Sequence, residues 1–264
     1  MTCIVGAESY LHLTDETNWG QSSGSGSGTA GTPFFIGVVS YGVRVQPLKR
    51  KPNTYVGLHQ RKGGSKIYGA NVSGQLVTPL YSYIPTGQTL AIARKLMDWA
   101  FLDFEAEEPA SKTAEWAEGP NVANKRHTGL RVNQATLTGS ADSGDIQLSL
   151  DLIGQQEMGG FTATAIPDDL EKLEDMQFTD CTFTLEGSTV QASAFTQTLS
   201  RNLQPQRLND FWITSLCGAV RDETVQFVIP KNNATYDVRN RLTTDTEVTG
   251  QFTMQGLHNG TGGS

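Results

Sequence analysis

The strictest pattern in this sequence is the alternation of apolar and polar residues between Ile146 and Leu152. Aliphatic residues occupy the even positions, and the odd positions hold Gln147, Ser149 and Asp151. Successive side chains of a β-strand point to opposite faces of a sheet, so a period of two predicts a strand with one apolar and one polar face. Similar alternation at 39–45, in a strand that Pro47 is expected to end, and at 181–185 and 225–229 predicts further strands. The chain is therefore expected to be mainly β.

The amino-acid composition favours the same fold class. The chain has 264 residues, of which 30 are Thr and 28 are Gly, while only 18% are charged. β-Branched Thr fits a pleated, half-buried surface better than a helix. No apolar run reaches the roughly 18 residues of a membrane span, and the N-terminus has no secretory-signal pattern, so we expect no membrane partner and no export by that route. Three widely spaced cysteines indicate reduced thiols.

One helix is predicted beside the sheets. Apolar residues recur at spacings of three and four after Pro85, and Thr86 is the expected N-cap. The expected buried face of this helix consists of Leu90, Ala93, Met97, Phe101 and Phe104. A shorter helix is predicted for residues 167–176, where Pro167 would occupy the first turn.

Gly- and Ser-rich stretches suggest how the chain is divided. Residues 20–33 and 259–264 cannot bury enough apolar surface to offset the entropy lost on ordering. We therefore expect an N-terminal segment, 1–33, containing a flexible Gly/Ser stretch and acting as a long arm or loop. A β domain is expected at 34–257 and a disordered tail at 258–264.

The net charge of -7 conceals an uneven distribution. Residues 18–97 contain no acid and nine bases, whereas 98–118 and 168–186 each carry seven acids against one base. This asymmetry is consistent with a basic loop packed on its own molecule, with nucleic-acid binding, or with contact between neighbouring copies. For the last interpretation, the expected contact residues are Lys49, Arg50, Lys51 and Lys62 against Asp103, Glu107, Asp168 and Glu171.

Motifs that would indicate an enzyme are missing from the sequence. The chain has no nucleophile elbow, phosphate-binding loop, zinc-protease motif or EF-hand loop. Its four histidines, at positions 12, 59, 127 and 258, lie far apart and are expected to be ordinary surface residues. We therefore predict no enzyme activity, no catalytic or cofactor-binding residue, no metal ligand and no cofactor.

Several segments resemble tail tube proteins of long-tailed bacteriophages. Residues 129–140 and 144–154 resemble that family's paired strands, and 72–80 resembles its early strand. Residues 177–187, 193–202, 236–239 and 248–253 follow in the family's order. The resemblance covers residues 34–257, and the order of these segments carries it more than any single match.

The resemblance implies a β-sandwich closing toward a barrel, flanked by a helix, whose copies form stacked, hexameric rings. The rings would build the tail tube, the conduit for genome delivery, after synthesis in the host cytoplasm. The implied partners are further copies, other tail proteins such as the tape measure, tip and terminator, and DNA that passes through without specific binding. Gln147, Ser149 and Asp151 are the expected lumen-facing residues, although an outer, solvent-exposed face also fits their pattern.

Two other classes of protein remain open at this stage. A capsid decoration protein or the ring subunit of an injection system would share the sandwich architecture. A β-sandwich enzyme or glycan-binding module would carry a site assembled from loops, which sequence alone cannot pair.

Overall fold

A computed structural model describes most of the chain. The described residues are 9–16, 18–20, 34–50, 66–82, 84, 91–102, 110–118, 125–159, 174–185, 188–218, 220–230 and 250–254. Antiparallel strands dominate them, which confirms the predicted fold class. The largest sheet has 11 strands and is best understood as two half-sheets that share one long strand.

The first half-sheet contains the N-terminal strand. Strand β1 (Ser9–Asp15) pairs with β2 (Phe34–Ile36) on one side and with β6 (Lys112–Glu118) on the other. The N-terminal part of β7 (Lys125–Ser140) continues the sheet beyond β6 and pairs with β9 (Gln156–Gly159). Residues 9–15, within the expected N-terminal segment, thus form an interior strand of this sheet.

The second half-sheet carries the alternating strand. Strand β8 (Ile146–Gly154) lies between β5 (Lys66–Pro79) and the C-terminal part of β7. Two strands, β3 (Ser40–Tyr41) and β4 (Arg44–Arg50), pair with the outer edge of β5. On the opposite side, β12 (Ala194–Ser200) pairs with β7, and β15 (Asp222–Val228) pairs with β12.

Strand β7 joins the half-sheets because its 16 residues pair with different partners along its length. The pairing with β8 shifts register between Val132 and Gln134, a bulge that bends the strand. Gly129 lies just before this bend with φ of 67°. A Cβ at Gly129 would lie 2.9 Å from the indole nitrogen of Trp19, so glycine is required for both conformation and space.

The core lies between the half-sheets and the predicted helix. Leu11, Leu76 and Leu150 belong to one buried cluster, which unites the inner faces of both half-sheets. Helix α1 (Ile92–Met97) covers this cluster and continues as a π-helical turn, Asp98–Leu102. Full burial of one such leucine contributes about 1.5 to 3 kcal/mol.

The helix differs in detail from the sequence prediction. It begins after Ala91, which is extended and makes no side-chain cap bond, so the predicted N-cap at Thr86 is wrong. Thr86, Leu90 and Phe104 lie outside the described residues. Ala93 and Phe101 are buried as predicted, but Met97 is only half-buried, and Leu96 and Trp99 occupy the core instead. The π-helical turn shifts the apolar face because it changes the residue spacing after Met97.

Two smaller sheets complete the described fold. Strand β10 (Cys181–Leu185) follows a 3₁₀ turn at Phe178–Asp180 and pairs with β11 (Ser188–Val190) and β16 (Gly250–Met254). Strands β13 (Gln204–Gln206) and β14 (Ser215–Cys217) form a separate hairpin.

Two local predictions fail for identifiable reasons. Pro47 does not end its strand, because it lies on β4, where its missing N–H is tolerated at the sheet edge. The described end of the predicted second helix is extended: Asp175 and Gln177 form β-bridges with Tyr81 and Asp145. Backbone pairing with the residues just after β5 and just before β8 takes precedence there over the helical signal. The rest of that predicted helix lies outside the described residues.

Candidate functional site

The polar side of strand β8 forms part of a wide, open surface. Asp151 is exposed, while Gln147 and Ser149 are half-buried, and the intervening aliphatic residues are buried in the core. The period of two therefore separates the two faces as the sequence predicts. We call the surface of the second half-sheet that contains these three residues the polar face.

Strand pairing extends the polar face across five strands. Directly paired residues point to the same side of a sheet, so the registers of β5, β8, β7, β12 and β15 define three rows. The rows are Pro79, Gln147, Thr138, Thr196 and Gln226; Val77, Ser149, Thr136, Thr198 and Thr224; and Gln75, Asp151, Gln134, Ser200 and Asp222. None of the fifteen is buried.

The polar face is hydrophilic but carries little charge. Hydroxyl and amide side chains dominate its rows, and the two charged members, Asp151 and Asp222, are both acidic and both lie in the third row. Within the face, the Gln75 amide donates to the Ser149 hydroxyl at 2.9 Å. The three rows offer hydrogen bonds to water and contain no cation that could bind a phosphate backbone.

One end of the polar face is closed by the β13–β14 hairpin. Arg131 points to the same side as Ile153, yet it is buried because it lies under the hairpin and donates to the Leu216 carbonyl at 3.2 Å. Where β8 ends, the Ala70 N–H instead donates to the Phe211 carbonyl at 3.0 Å. The hairpin therefore covers the next row at Arg131, whereas Arg44, which pairs with Ser73 in that row, is exposed on β4 beside the three rows.

A second polar cluster lies inside the fold around His127. The Nε2 atom of His127 is 2.9 Å from a Glu157 carboxylate oxygen, and Nδ1 is 2.7 Å from the Tyr41 hydroxyl. A carboxylate only accepts, so Nε2 carries the hydrogen and Nδ1 accepts from Tyr41. Burial lowers the pKa of His127, and the bond to Glu157 opposes this shift. Burial, followed by the charge of Glu157, raises the pKa of Tyr41 well above its ordinary value.

His12 is also buried, in the adjacent strands. Its Nδ1 lies 3.4 Å from Glu115, whose carboxylate also accepts hydrogen bonds from Arg126. The ring stacks on Phe35 with centroids 4.6 Å apart. The expectation of surface histidines is therefore wrong for His12 and His127, because long-range strand pairing buries them. His59 and His258 lie outside the described residues.

Within the described ranges, no group of three or more His, Cys, Asp or Glu side chains is arranged to hold a metal ion. The helical segments described are too short and too polar for any of them to cross a membrane.

Residues 6–257 match the family of phage tail tube proteins. The chain belongs to that family. It is therefore a structural protein of the phage tail, and its location is the tail tube of the virion. A comparison with curated proteins gives no match.

The structure describes only two of the residues predicted to make electrostatic contacts in this tail tube protein. Lys49 is exposed on β4, and Arg50 ends the same strand, paired through its backbone with Lys66. The other six lie outside the described residues: Lys51, Lys62, Asp103, Glu107, Asp168 and Glu171. Their contacts stay predictions.

Proposed function

We propose that copies of this tail tube protein assemble into hexameric rings that stack into a hollow tube, with the polar face lining the bore. The observation that carries this proposal is the five-strand polar face, which is open along three rows and contains no lysine or arginine. Gln147, Ser149 and Asp151 are its central members.

The chemistry of the polar face suits the passage of a genome. Nucleic acid binds proteins mainly through lysine and arginine contacts to phosphate, which release condensed counterions. Thr, Ser and Gln side chains make no such contacts, and Asp151 and Asp222 repel phosphate. DNA would therefore move through the bore without being retained.

The edge of the second half-sheet provides a means of joining copies within a ring. Among the described strands, β15 pairs only with β12, and all seven of its residues are exposed. An unpaired edge presents a row of N–H and C=O groups to another strand. A neighbouring copy that pairs with β15 would continue the polar face around the ring.

The proposal assigns the buried His127 and His12 clusters to packing rather than catalysis. His12 and Glu115 lie on β1 and β6 of the first half-sheet, whereas His127 contacts Glu157 on β9 and Tyr41 on β3 of the second half-sheet. The ring nitrogens of both histidines face these side chains and not solvent. The proposed partners are further copies of the chain, the tape measure, tip and terminator proteins of the same tail, and the passing DNA. We propose synthesis in the host cytoplasm before assembly.

Negative-stain electron microscopy combined with cysteine labelling tests this function. In a variant whose native cysteines are replaced by Ser, Thr136→Cys should react with a bulky maleimide in free subunits and be protected in assembled tubes. Met158→Cys, at a position that is 39% exposed on β9 of the first half-sheet, is the matched control for general accessibility. Absence of rings and tubes, or equal labelling of Thr136→Cys before and after assembly, would contradict the proposal.

A further inference from the structure

We propose that the two opposite ends of the second half-sheet dock on each other between successive rings, so that a basic, apolar end of one copy meets an acidic end of the next. This inference rests on the proposed function, because it names the surfaces that stack the rings. It identifies the occupant of both surfaces as a second copy of this chain.

The basic end lies where β4 and β5 begin their long hairpin. Lys49 is exposed there, and its strand partner Ile67 and the adjacent Tyr68 are 53% and 59% exposed. The loop between β13 and β14 adds Leu208 and Phe211, which are 74% and 44% exposed. These four apolar side chains, together with Lys49 and the paired strand ends Arg50 and Lys66, define what we call the basic end.

The loop of the basic end is held in place by the sheet. Arg207 donates to the Ala70 carbonyl at 2.9 Å and to the Asn71 side chain, and the Phe211 carbonyl accepts the Ala70 N–H. The acid in this loop, Asp210, accepts the backbone N–H of Trp212 at 3.3 Å. Leu208 and Phe211 are therefore presented on an anchored loop, beside Ile67 and Tyr68 on β5.

The acidic end lies at the other end of the same strands. Asp142 and Asp145 are exposed in the turn between β7 and β8. Glu174 and Asp175 are exposed in the segment beside it, which the Phe178 N–H joins to the Gly144 carbonyl at 2.8 Å. Burial, and then the charge of Asp145, raises the pKa of Asp175, which is consistent with acids that are close together. We call these four acids the acidic end.

The two ends are too far apart to neutralise each other within one copy. Strand β5, with 14 residues, runs from one to the other, and at about 3.3 Å per residue it spans roughly 43 Å. Of the ion pairs within the described residues, none includes Lys49 or the four acids. Arg94, on the helix that starts beside Tyr81, does not neutralise these acids, because it is paired with Asp98 at 2.7 Å.

Opposite charges at opposite ends match the geometry of stacking. A tube grows through a heterologous contact, in which one surface of each copy meets a different surface of the next. Charge complementarity fixes the direction of such a contact, and an apolar centre supplies burial. The basic end has both charge and exposed apolar side chains. The same contact would recur between each ring and the next.

Charge reversal provides the test. Lys49→Glu and Asp142→Lys should each fold as the wild type by circular dichroism and form rings, yet raise the subunit concentration needed for tubes about tenfold, because each contact repeats around the ring. The double variant should regain tubes with itself but not copolymerise with the wild type. Lys125→Glu, which reverses an exposed lysine in the first half-sheet, should leave tube formation unchanged.

The outcomes separate this inference from the proposed function. Rings whose stacking is unaffected by either single reversal would overturn the inference and leave the ring proposal standing. A double variant that stacks no better than the single variants would also overturn it. If the wild-type protein forms neither rings nor tubes, the proposed function fails first.

Discussion

His127 is a titratable side chain enclosed by strands of both half-sheets. It is fully buried, and both ring nitrogens have partners from other strands, Tyr41 on β3 and Glu157 on β9. The neutral ring accepts a hydrogen bond from Tyr41 at Nδ1 and donates one to Glu157 from Nε2. A proton added at Nδ1 would turn an acceptor toward the Tyr41 hydroxyl into a donor, inside a buried site.

This arrangement predicts that acid destabilises the fold through His127. Its folded pKa lies below the ordinary value of 6.5, so the unfolded chain takes up the proton first. The contribution of His127 to the free energy of unfolding should be fully present above pH 6.5. It should fall as the pH drops from 6.5 toward the lowered folded pKa, by up to about 1.4 kcal/mol per pH unit for one proton.

Urea unfolding of wild type and His127→Gln at several pH values measures this effect. The variant should be less stable at neutral pH but lose the extra pH dependence below 6.5. His12→Gln, at the other buried histidine, serves as the control and should retain that dependence. An identical pH dependence in wild type and His127→Gln would show that another group is responsible.

At the scale of single elements, β8 shows how one strand divides a core from a solvent face. From Ile146 to Leu152 its aliphatic residues are almost fully buried, whereas its polar residues are exposed or half-buried. Neighbouring positions on the same strand therefore differ greatly in their contribution to stability.

Paired substitutions in β8 test this difference. Leu150→Ala should lower the free energy of unfolding by about 2 to 5 kcal/mol, because it removes buried methyl groups and leaves a cavity. Ser149→Ala, which loses only a surface hydrogen bond with Gln75, should cost no more than about 1 kcal/mol. Chemical denaturation of both variants gives the comparison, and equal losses would mean that β8 does not carry the core as described.

The sequence predicts such elements well only where the signal is local. The alternation in β8 requires nothing beyond its own residues, and the strand forms where predicted. The structure at Pro47 and at residues 174–177 depends on which strand lies beside them. These pairing partners are up to about a hundred residues away in the sequence, so a local pattern does not reveal them. The burial of His12 and His127 follows from the same long-range pairing. The three rows of the polar face likewise required the strand registers, although their central residues could be identified from β8 alone.

At the scale of the whole molecule, the polar face and the two charged ends lie on one half-sheet. The polar face occupies its side, and the basic and acidic ends lie at opposite ends of its strands. The uneven charge of the sequence therefore places basic residues at one end of this half-sheet and acidic residues at the opposite end. In the proposed tube, the weakly acidic polar face is directed at the DNA, while the basic and acidic ends contact other copies.

Introducing cations on the polar face should impair genome passage without preventing assembly. Thr136→Lys and Thr198→Lys are cross-strand neighbours in the middle row, and in a six-fold ring each would add a circle of positive charge. We expect phages with both changes to form tails of normal length but to eject DNA more slowly, with the defect relieved by added salt. Thr136→Ser with Thr198→Ser is the neutral control. Normal ejection by the lysine variant would exclude this face from the bore.

The pairing of β1 with β6 has a consequence for synthesis of the protein. His12 and Glu115, neighbours in that pairing, are separated by 103 positions in the chain. While a ribosome makes the intervening residues, at about 5 to 20 per second, β1 has its sheet partner on one side missing for several seconds. Contacts of such long sequence separation also slow folding, because the loop must close before the pairing stabilises it. In the nascent chain, the apolar side chains of β1 therefore stay exposed until β6 has been made. Molecular chaperones that shield such segments would raise the yield of folded subunits.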